Sequence, residues 1–89
     1  MICNSPEDFE IVRKEIKRWR KTHPMFAHDI TRLSNSIEHH ISQYSNILVD
    51  YRRTRKESYL EKANKEIDQI NKLLNTVGKL ELMAILSQG

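Results

Sequence analysis

Apolar residues recur at helical spacing along most of this chain. Between Pro24 and Gly78 lie 53 residues that include neither glycine nor proline, the two residues that most strongly disfavour a helix. The apolar positions in this stretch follow steps of three and four residues, which places them along one side of an α-helix. The pattern predicts long amphipathic helices that pack against other helices.

A first, shorter helix is predicted over residues 6–22. Ser5, Pro6 and Asp8 together are typical of a helix start, where a serine oxygen accepts from free amides and an acid suits the helix dipole. The residue before Pro24 disfavours the helical conformation, so this helix should end near residue 22. Its apolar stripe consists of Phe9, Val12, Ile16 and Trp19.

A second helix is predicted over residues 24–53, with Pro24 in its first turn. Its apolar stripe follows nearly a seven-residue repeat, with one extra residue between Ile37 and Ile41 that would locally unwind a supercoil. The stripe comprises Phe26, Ile30, Leu33, Ile37, Ile41, Tyr44, Leu48 and Tyr51.

A third helix is predicted over residues 58–87, after a segment at 52–58 that contains no apolar residue. Here the apolar residues form an unbroken heptad pattern whose phase is shifted from that of the second helix. They are Leu60, Ala63, Ile67, Ile70, Leu74 and Val77. These residues, Ala63 apart, and the stripe of the second helix together are called the helix seam below.

The segment at 52–58 has two interpretations. Thr54 with Glu57 matches the capping-box pattern of a helix start, as does Ser58 with Glu61, and antiparallel neighbours bury the stripes of a short chain well. Both points favour a helical hairpin. The segment lacks glycine, proline and asparagine, which favours one continuous helix in a coiled-coil oligomer.

The predicted fold is all-α, in a single helical domain over residues 1–89. A short N-terminal helix precedes two long amphipathic helices that form an antiparallel, coiled-coil-like hairpin. A chain of 89 residues is at most one domain and has a thin core of its own. Charged residues make up 30% of it, as is usual in long-helix proteins.

The end of the third helix carries more apolar surface than a seam requires. Beyond Gly78, apolar side chains point in nearly every direction around the helix, and such a segment is normally buried on all sides. A chain this short has little with which to cover it. We therefore expect a protein partner, in a homo- or hetero-oligomer, to bind Leu80, Leu82, Met83, Ile85 and Leu86.

Positive charge is concentrated in two clusters, although the net charge is only +3. Clusters of this kind bind phosphates in a salt-dependent way, so binding of nucleic acid or another polyanion is the alternative function. Solvated lysine and arginine side chains that shield apolar surface explain the same pattern. The candidate polyanion-binding residues are Arg13, Lys14, Lys17, Arg18, Arg20, Lys21, Arg52, Arg53, Arg55 and Lys56.

Residues with chemistry of their own are few, and we expect no catalytic site, no metal and no cofactor. His28, His39 and His40 lack the spacing of a helical chelate, and we see no nucleophile motif or phosphate loop. Cys3 is expected to be a free thiol near a fraying terminus, which is typical of the cytoplasm or another reducing compartment. We expect neither a signal peptide nor a membrane-spanning helix.

The sequence thus predicts a small basic, non-enzymatic protein that acts through protein–protein interaction. It would be an adaptor, assembly factor, inhibitor or structural component, and it would bury its helix seam and its C-terminal apolar residues against itself or a larger partner.

Overall fold

The computed structural model describes residues 2–88 and is helical almost throughout, with no strand in that range. A 3₁₀ turn at Pro6–Asp8 leads into helix α1, Phe9–Thr22. A second 3₁₀ turn at Pro24–Phe26 leads into α2, Ala27–Thr54. Helix α3 follows at Glu57–Gln88. The all-α prediction is confirmed.

Helices α2 and α3 form an antiparallel hairpin. Near the middle of α2, His40 Nδ1 lies 2.5 Å from the Glu66 carboxylate of α3. Further from the turn, Leu33 and Thr76 line the same groove, so residue numbers fall along α2 as they rise along α3. The hairpin is therefore the correct interpretation of the segment at 52–58, and the continuous helix is wrong.

The turn between the two helices depends on a left-handed arginine. Arg55 has φ 60° and ψ 21°, and its amide donates to the Tyr51 carbonyl at 2.6 Å, which closes the last turn of α2. Glycine is the usual residue in this conformation, because a Cβ there costs about 1–2 kcal/mol. The break therefore lacks the residue that marks most helix ends.

Helix α1 lies in the groove between the other two helices, antiparallel to α2 and parallel to α3. Phe9 packs edge-on against Tyr44, with ring centroids 5.5 Å apart. Further along α1, Ile16 and Trp19 share a cleft with Val77 of α3. The predicted stripe of α1 is thus the side that enters the core, since Phe9, Val12, Ile16 and Trp19 are all buried.

One ion pair holds α1 in register with α2. The Arg13 guanidinium donates through Nε and Nη2 to the two carboxylate oxygens of Glu38, at 2.6 and 3.0 Å, and Nη1 pairs with Glu10. The hydrogen bonds from Arg13 lower the pKa of Glu38, because they stabilise its charged form. Both side chains are about two-fifths exposed, so the pair sets register more than it adds stability.

The core follows the three stripes. Its most enclosed large side chains are Ile30, Ile37 and Ile70, each at most 1% exposed. Truncation of one such isoleucine to alanine costs about 2–5 kcal/mol in a typical core. The other members of the cluster are Cys3, Phe9, Val12, Ile16, Trp19, Ile41, Ile67, Leu74 and Val77.

Cys3 is a free thiol, as expected, but it belongs to the core, so the expectation that it lies near a fraying terminus is wrong. This cysteine is completely buried, and Asn71 of α3 holds its backbone at both ends. Cys3 N donates to Asn71 Oδ1 at 2.7 Å, and Asn71 Nδ2 donates to Cys3 O at 2.8 Å. Burial, followed by the nearby Asp8 charge, raises the pKa of the thiol.

The predicted role of Ser5 also needs correction. Among the described residues, the Ser5 side chain makes no cap hydrogen bond. Its backbone carbonyl accepts instead from the Asp8 amide at 3.0 Å, and the Asp8 carboxylate accepts from the Asn4 amide at 2.8 Å. The acid rather than the serine therefore satisfies a free amide at this helix start.

The molecule is elongated, with extents of 53 × 18 × 16 Å and a radius of gyration of 14.9 Å. A compact chain of this length has a radius of gyration of about 12 Å. Its accessible surface of 6314 Å² also exceeds the roughly 5,500 Å² expected for a monomer of 10.6 kDa. The excess arises because α1 is half as long as α2 and covers only part of the hairpin.

Replacement of Arg55 by glycine should stabilise the protein. Glycine removes the Cβ strain at φ 60°, and the gain exceeds the extra entropy of the unfolded chain, so the free energy of unfolding should rise by about 0.5–1 kcal/mol. Urea denaturation measures this free energy of unfolding. Arg52→Gly is the matched control, because Arg52 is an exposed helical residue and glycine there should lower stability by about 0.5–1 kcal/mol. Equal losses in both variants would contradict the left-handed turn.

Replacement of Asn71 by alanine should release the N-terminal segment. Two hydrogen bonds to Cys3 are lost, each worth about 1 kcal/mol, so reaction of the thiol with a disulfide reagent should accelerate by about tenfold or more. Asn75→Ala, one turn further along α3 on an exposed residue, should leave the rate unchanged. A fast thiol reaction in the unmodified protein would contradict the burial of Cys3.

Candidate interaction surface

The two ends of the hairpin differ. One end is the turn at Arg55, which we call the tip. At the other end, which we call the open end, the last turn of α1 reaches the C-terminal part of α3. There Trp19 shares a cleft with Gly78 and Glu81. The predicted partner-binding residues all lie at the open end.

Most of these residues are exposed. The exposed fractions are 57% for Leu82, 56% for Ile85 and 70% for Leu86. With Gly78 they stand at i, i+4, i+7 and i+8, so they share one side of α3. We call these four residues the tail face. Met83 is also exposed, at 55%, but it lies on the other side of the helix.

Two residues of the same segment belong to the core instead. Leu80 is half-buried and packs against the core cluster, and Ala84 is only 1% exposed. The end of α3 is therefore covered on one side, and Leu80 offers less free surface to a partner than the other four predicted residues. In this segment of α3, the exposed apolar surface consists of the tail face and Met83.

A cleft opens beside the tail face, between α1 and α3. It has a volume of about 150 Å³. Its inner wall is apolar and its rim carries charges, among them the Arg18 guanidinium, which donates to Glu15 at 2.7 Å. The lining residues are Glu15, Ile16, Arg18, Trp19, Leu74, Val77, Gly78 and Glu81.

Trp19 forms the floor of the cleft at a cost. Its indole Nε1 is buried and has no hydrogen-bond partner within residues 2–88. A buried unpaired donor destabilises by about 1–3 kcal/mol. The ring packs against His23, with centroids 4.5 Å apart, and is 3% exposed.

Gly78 lines the cleft and has no close neighbour. It lies inside α3 without a positive φ, so its backbone conformation does not require glycine. Outside its own helical turn, no heavy atom of the described chain lies within 4 Å of a Cβ placed on it. Glycine here costs about 1 kcal/mol of helix stability relative to alanine. A side chain at this position would enter open space beside the cleft.

The helix seam is buried to different depths. Seven members are buried: Ile30, Ile37, Ile41, Ile67, Ile70, Leu74 and Val77. Phe26, Leu33 and Tyr44 are half-buried against the core, and Leu48 and Tyr51 are half-buried nearer the tip. Leu60 differs, because it is 37% exposed where only two helices remain. Burial raises the pKa of the Tyr44 hydroxyl.

The two basic clusters lie apart. Arg13 and Arg18 pair with carboxylates, while Lys14, Lys17 and Lys21 are exposed along one side of α1. Sixteen residues of α2, or about 24 Å of helix, separate Glu38, the partner of Arg13, from the tip. The clusters therefore do not form one continuous surface.

The tip carries four exposed bases: Arg52, Arg53, Arg55 and Lys56. Arg53 pairs with Asp50 at 3.0 Å. The Arg55 guanidinium lies 5.9 Å from the centre of the Tyr51 ring, and on α3 the Lys62 ammonium lies 5.3 Å from that of Tyr59. Aromatic rings thus accompany the bases at the tip.

Neither a cluster of metal ligands nor a membrane-spanning helix is found in the described part of the chain. Within residues 2–88 no group of three histidine, cysteine or acidic side chains could hold a metal ion. No helix in this range has the length and apolar content to cross a bilayer. His40 borders the helix seam through its contact with Glu66.

Sequence reasoning missed the pairing of Arg13 with Glu38, of His40 with Glu66, and of Cys3 with Asn71. Each joins two elements far apart in sequence, so no local spacing marks it. The cleft beside Gly78 had one signal, a glycine within an otherwise helical pattern. Comparison with protein-family models, with curated proteins and with solved structures finds no match to this chain.

Proposed function

We propose that this protein is a non-enzymatic helical interaction subunit that binds another protein chain through the tail face. One observation carries the proposal. Leu82, Ile85 and Leu86 are exposed together on one side of α3, although the opposite side of the same turns is covered at Ala84. An ordered helix that presents clustered leucine and isoleucine side chains is a usual form of protein-binding surface.

The excess surface of the molecule supports the same proposal. Its accessible surface exceeds that of a typical monomer of its mass by about 800 Å². A standard protein interface covers about 800 Å² on each partner. A bound partner would therefore bring the exposed surface to the ordinary range.

Burial of the tail face alone does not supply enough free energy for stable association with a partner. Complete burial of a leucine or isoleucine stabilises by about 1.5–3 kcal/mol, and these side chains are already partly covered. Association itself costs about 4–15 kcal/mol in lost freedom of motion. Three half-exposed side chains barely offset the lower figure, so the walls of the adjoining cleft must also contact the partner.

A second candidate function is polyanion binding at the tip. Arg52, Arg55 and Lys56 are exposed, and the Arg55 guanidinium lies over the Tyr51 ring. Aromatic rings among bases stack on nucleobases in many single-strand binders. The cluster on α1 is less suited to this role, because Arg13 and Arg18 already pair with acids. The tip is therefore the part of this chain that fits the alternative.

Replacement of Leu82 by aspartate should abolish assembly and leave the helices intact. The side chain is 57% exposed, so its charge perturbs a partner surface more than the core of this chain. Light scattering and far-UV circular dichroism measure the two effects. Ile11→Asp is the matched control, since Ile11 is 53% exposed on α1 outside the tail face. If Leu82→Asp loses helicity together with assembly, this segment is ordinary core and not a binding surface.

Neutralisation of the tip should abolish polyanion binding if that is the function. The triple change of Arg52, Arg55 and Lys56 to glutamine should weaken binding of a single-stranded oligonucleotide. The magnitude of the slope of the logarithm of the binding constant against that of the salt concentration should fall by about 2, because each of the three lost phosphate contacts contributes about 0.7. The matched control changes Lys14, Lys17 and Lys21 to glutamine and should have little effect. Fluorescence anisotropy at several salt concentrations measures both. Equal weak binding by all three proteins would leave these bases as solvated surface.

A further inference from the structure

The tail face contains both a cavity and the side chains to fill one. Gly78 lines the cleft beside Trp19, and Leu82, Ile85 and Leu86 project from the following two turns on the same side of α3. A cleft of about 150 Å³ is large enough for one branched apolar side chain, since an engineered cavity of similar size holds benzene. A surface that has both a cleft and protruding apolar side chains can bind an identical copy of itself, as the contact patch of a two-fold dimer must.

The rest of this side of α3 limits how two copies can pair. Nearer the middle of the helix it is polar, and a groove there is lined by Asp68, Asn71 and Asn75 among others. A parallel pairing would set Asp68 beside Asp68 of the other copy and Gly78 beside Gly78. An antiparallel pairing of the C-terminal turns leaves the polar groove free and places a large residue opposite the glycine.

We infer that the tail face binds a second copy of this chain, with the two α3 helices antiparallel about a two-fold axis at Leu82. In this register the residue numbers of facing positions add to 164, so Leu86 of the second copy lies over Gly78 and enters the cleft beside Trp19. The inference rests on the proposed function and names its partner. The overlap is about two turns from each copy, which is small for a protein interface, so we expect a weak dimer that exchanges with the monomer.

Substitution of Gly78 tests the inference most specifically. Gly78→Leu should fold, because a Cβ there meets open space, but it should fill the cleft from within and block the second copy. Asn75→Leu is the matched control, since it adds the same side chain one turn away on an exposed residue of α3. Sedimentation equilibrium should show dimers for the unmodified protein and Asn75→Leu, and at least a tenfold weaker dimer for Gly78→Leu.

Trp19 supplies an independent signal, because it is the single tryptophan of the chain and lines the cleft. Its emission should change over the same concentration range as the measured mass. In Gly78→Leu, with helicity by circular dichroism equal to that of the unmodified protein, the emission should not vary with concentration. A change of mass without a change of emission would overturn the placement of the second copy over this cleft.

A cysteine at the proposed axis tests the register. Leu82→Cys should form a disulfide-linked dimer rapidly when diamide oxidises the two thiols, whereas Val49→Cys, equally exposed but near the tip, should react slowly. The native Cys3 is buried, so it should contribute little to oxidation of either variant. Equal rates at the two positions would overturn the register.

The outcomes separate this inference from the proposed function. If the unmodified protein is monomeric at all concentrations, the second copy is the wrong partner, although a different protein can still bind the tail face. If it dimerises and Leu82→Asp abolishes the dimer while Gly78→Leu does not, the tail face is the interface and the antiparallel register is wrong.

Discussion

The packing of α1 into the groove between α2 and α3 determines how much of this molecule is covered. The hairpin has a groove along its length, and α1 fills the half of it nearer the open end with Phe9, Val12, Ile16 and Trp19. That helix has 14 residues, whereas α2 has 28 and α3 has 32. One short helix therefore covers the half of the hairpin nearer the open end. It leaves the tip with only two helices and leaves the last turns of α3 exposed on the tail face.

The two uncovered ends expose different chemistry. At the tip the surface is charged, and Arg52, Arg53 and Lys56 remain hydrated there at little cost. At the open end the exposed residues are leucine and isoleucine, for which exposure to water is unfavourable. The short length of α1 thus leaves two surfaces exposed. Only the apolar surface is stabilised by a partner in proportion to the area that the partner buries.

The helices and their inward sides could be predicted because each depends on residues three or four positions apart. The seven buried residues of the helix seam show this, as does the stripe of α1. The turn between α2 and α3 has no comparable signal in the sequence, because its left-handed residue is Arg55 rather than glycine. Cys3 and Asn71 are 68 positions apart, and no local pattern links them. For the candidate site, the sequence indicated the apolar end of α3, but the burial of Leu80 and the open space at Gly78 depend on where α1 and α2 lie.

Hydrogen–deuterium exchange across a range of protein concentrations tests the central claim most directly, since it reports residue by residue whether the end of α3 becomes covered. If a second copy binds the tail face, exchange of the amides at residues 82–87 should slow as concentration rises, while exchange near Arg52 should not change. Exchange at 82–87 that is equally fast at every concentration would contradict it.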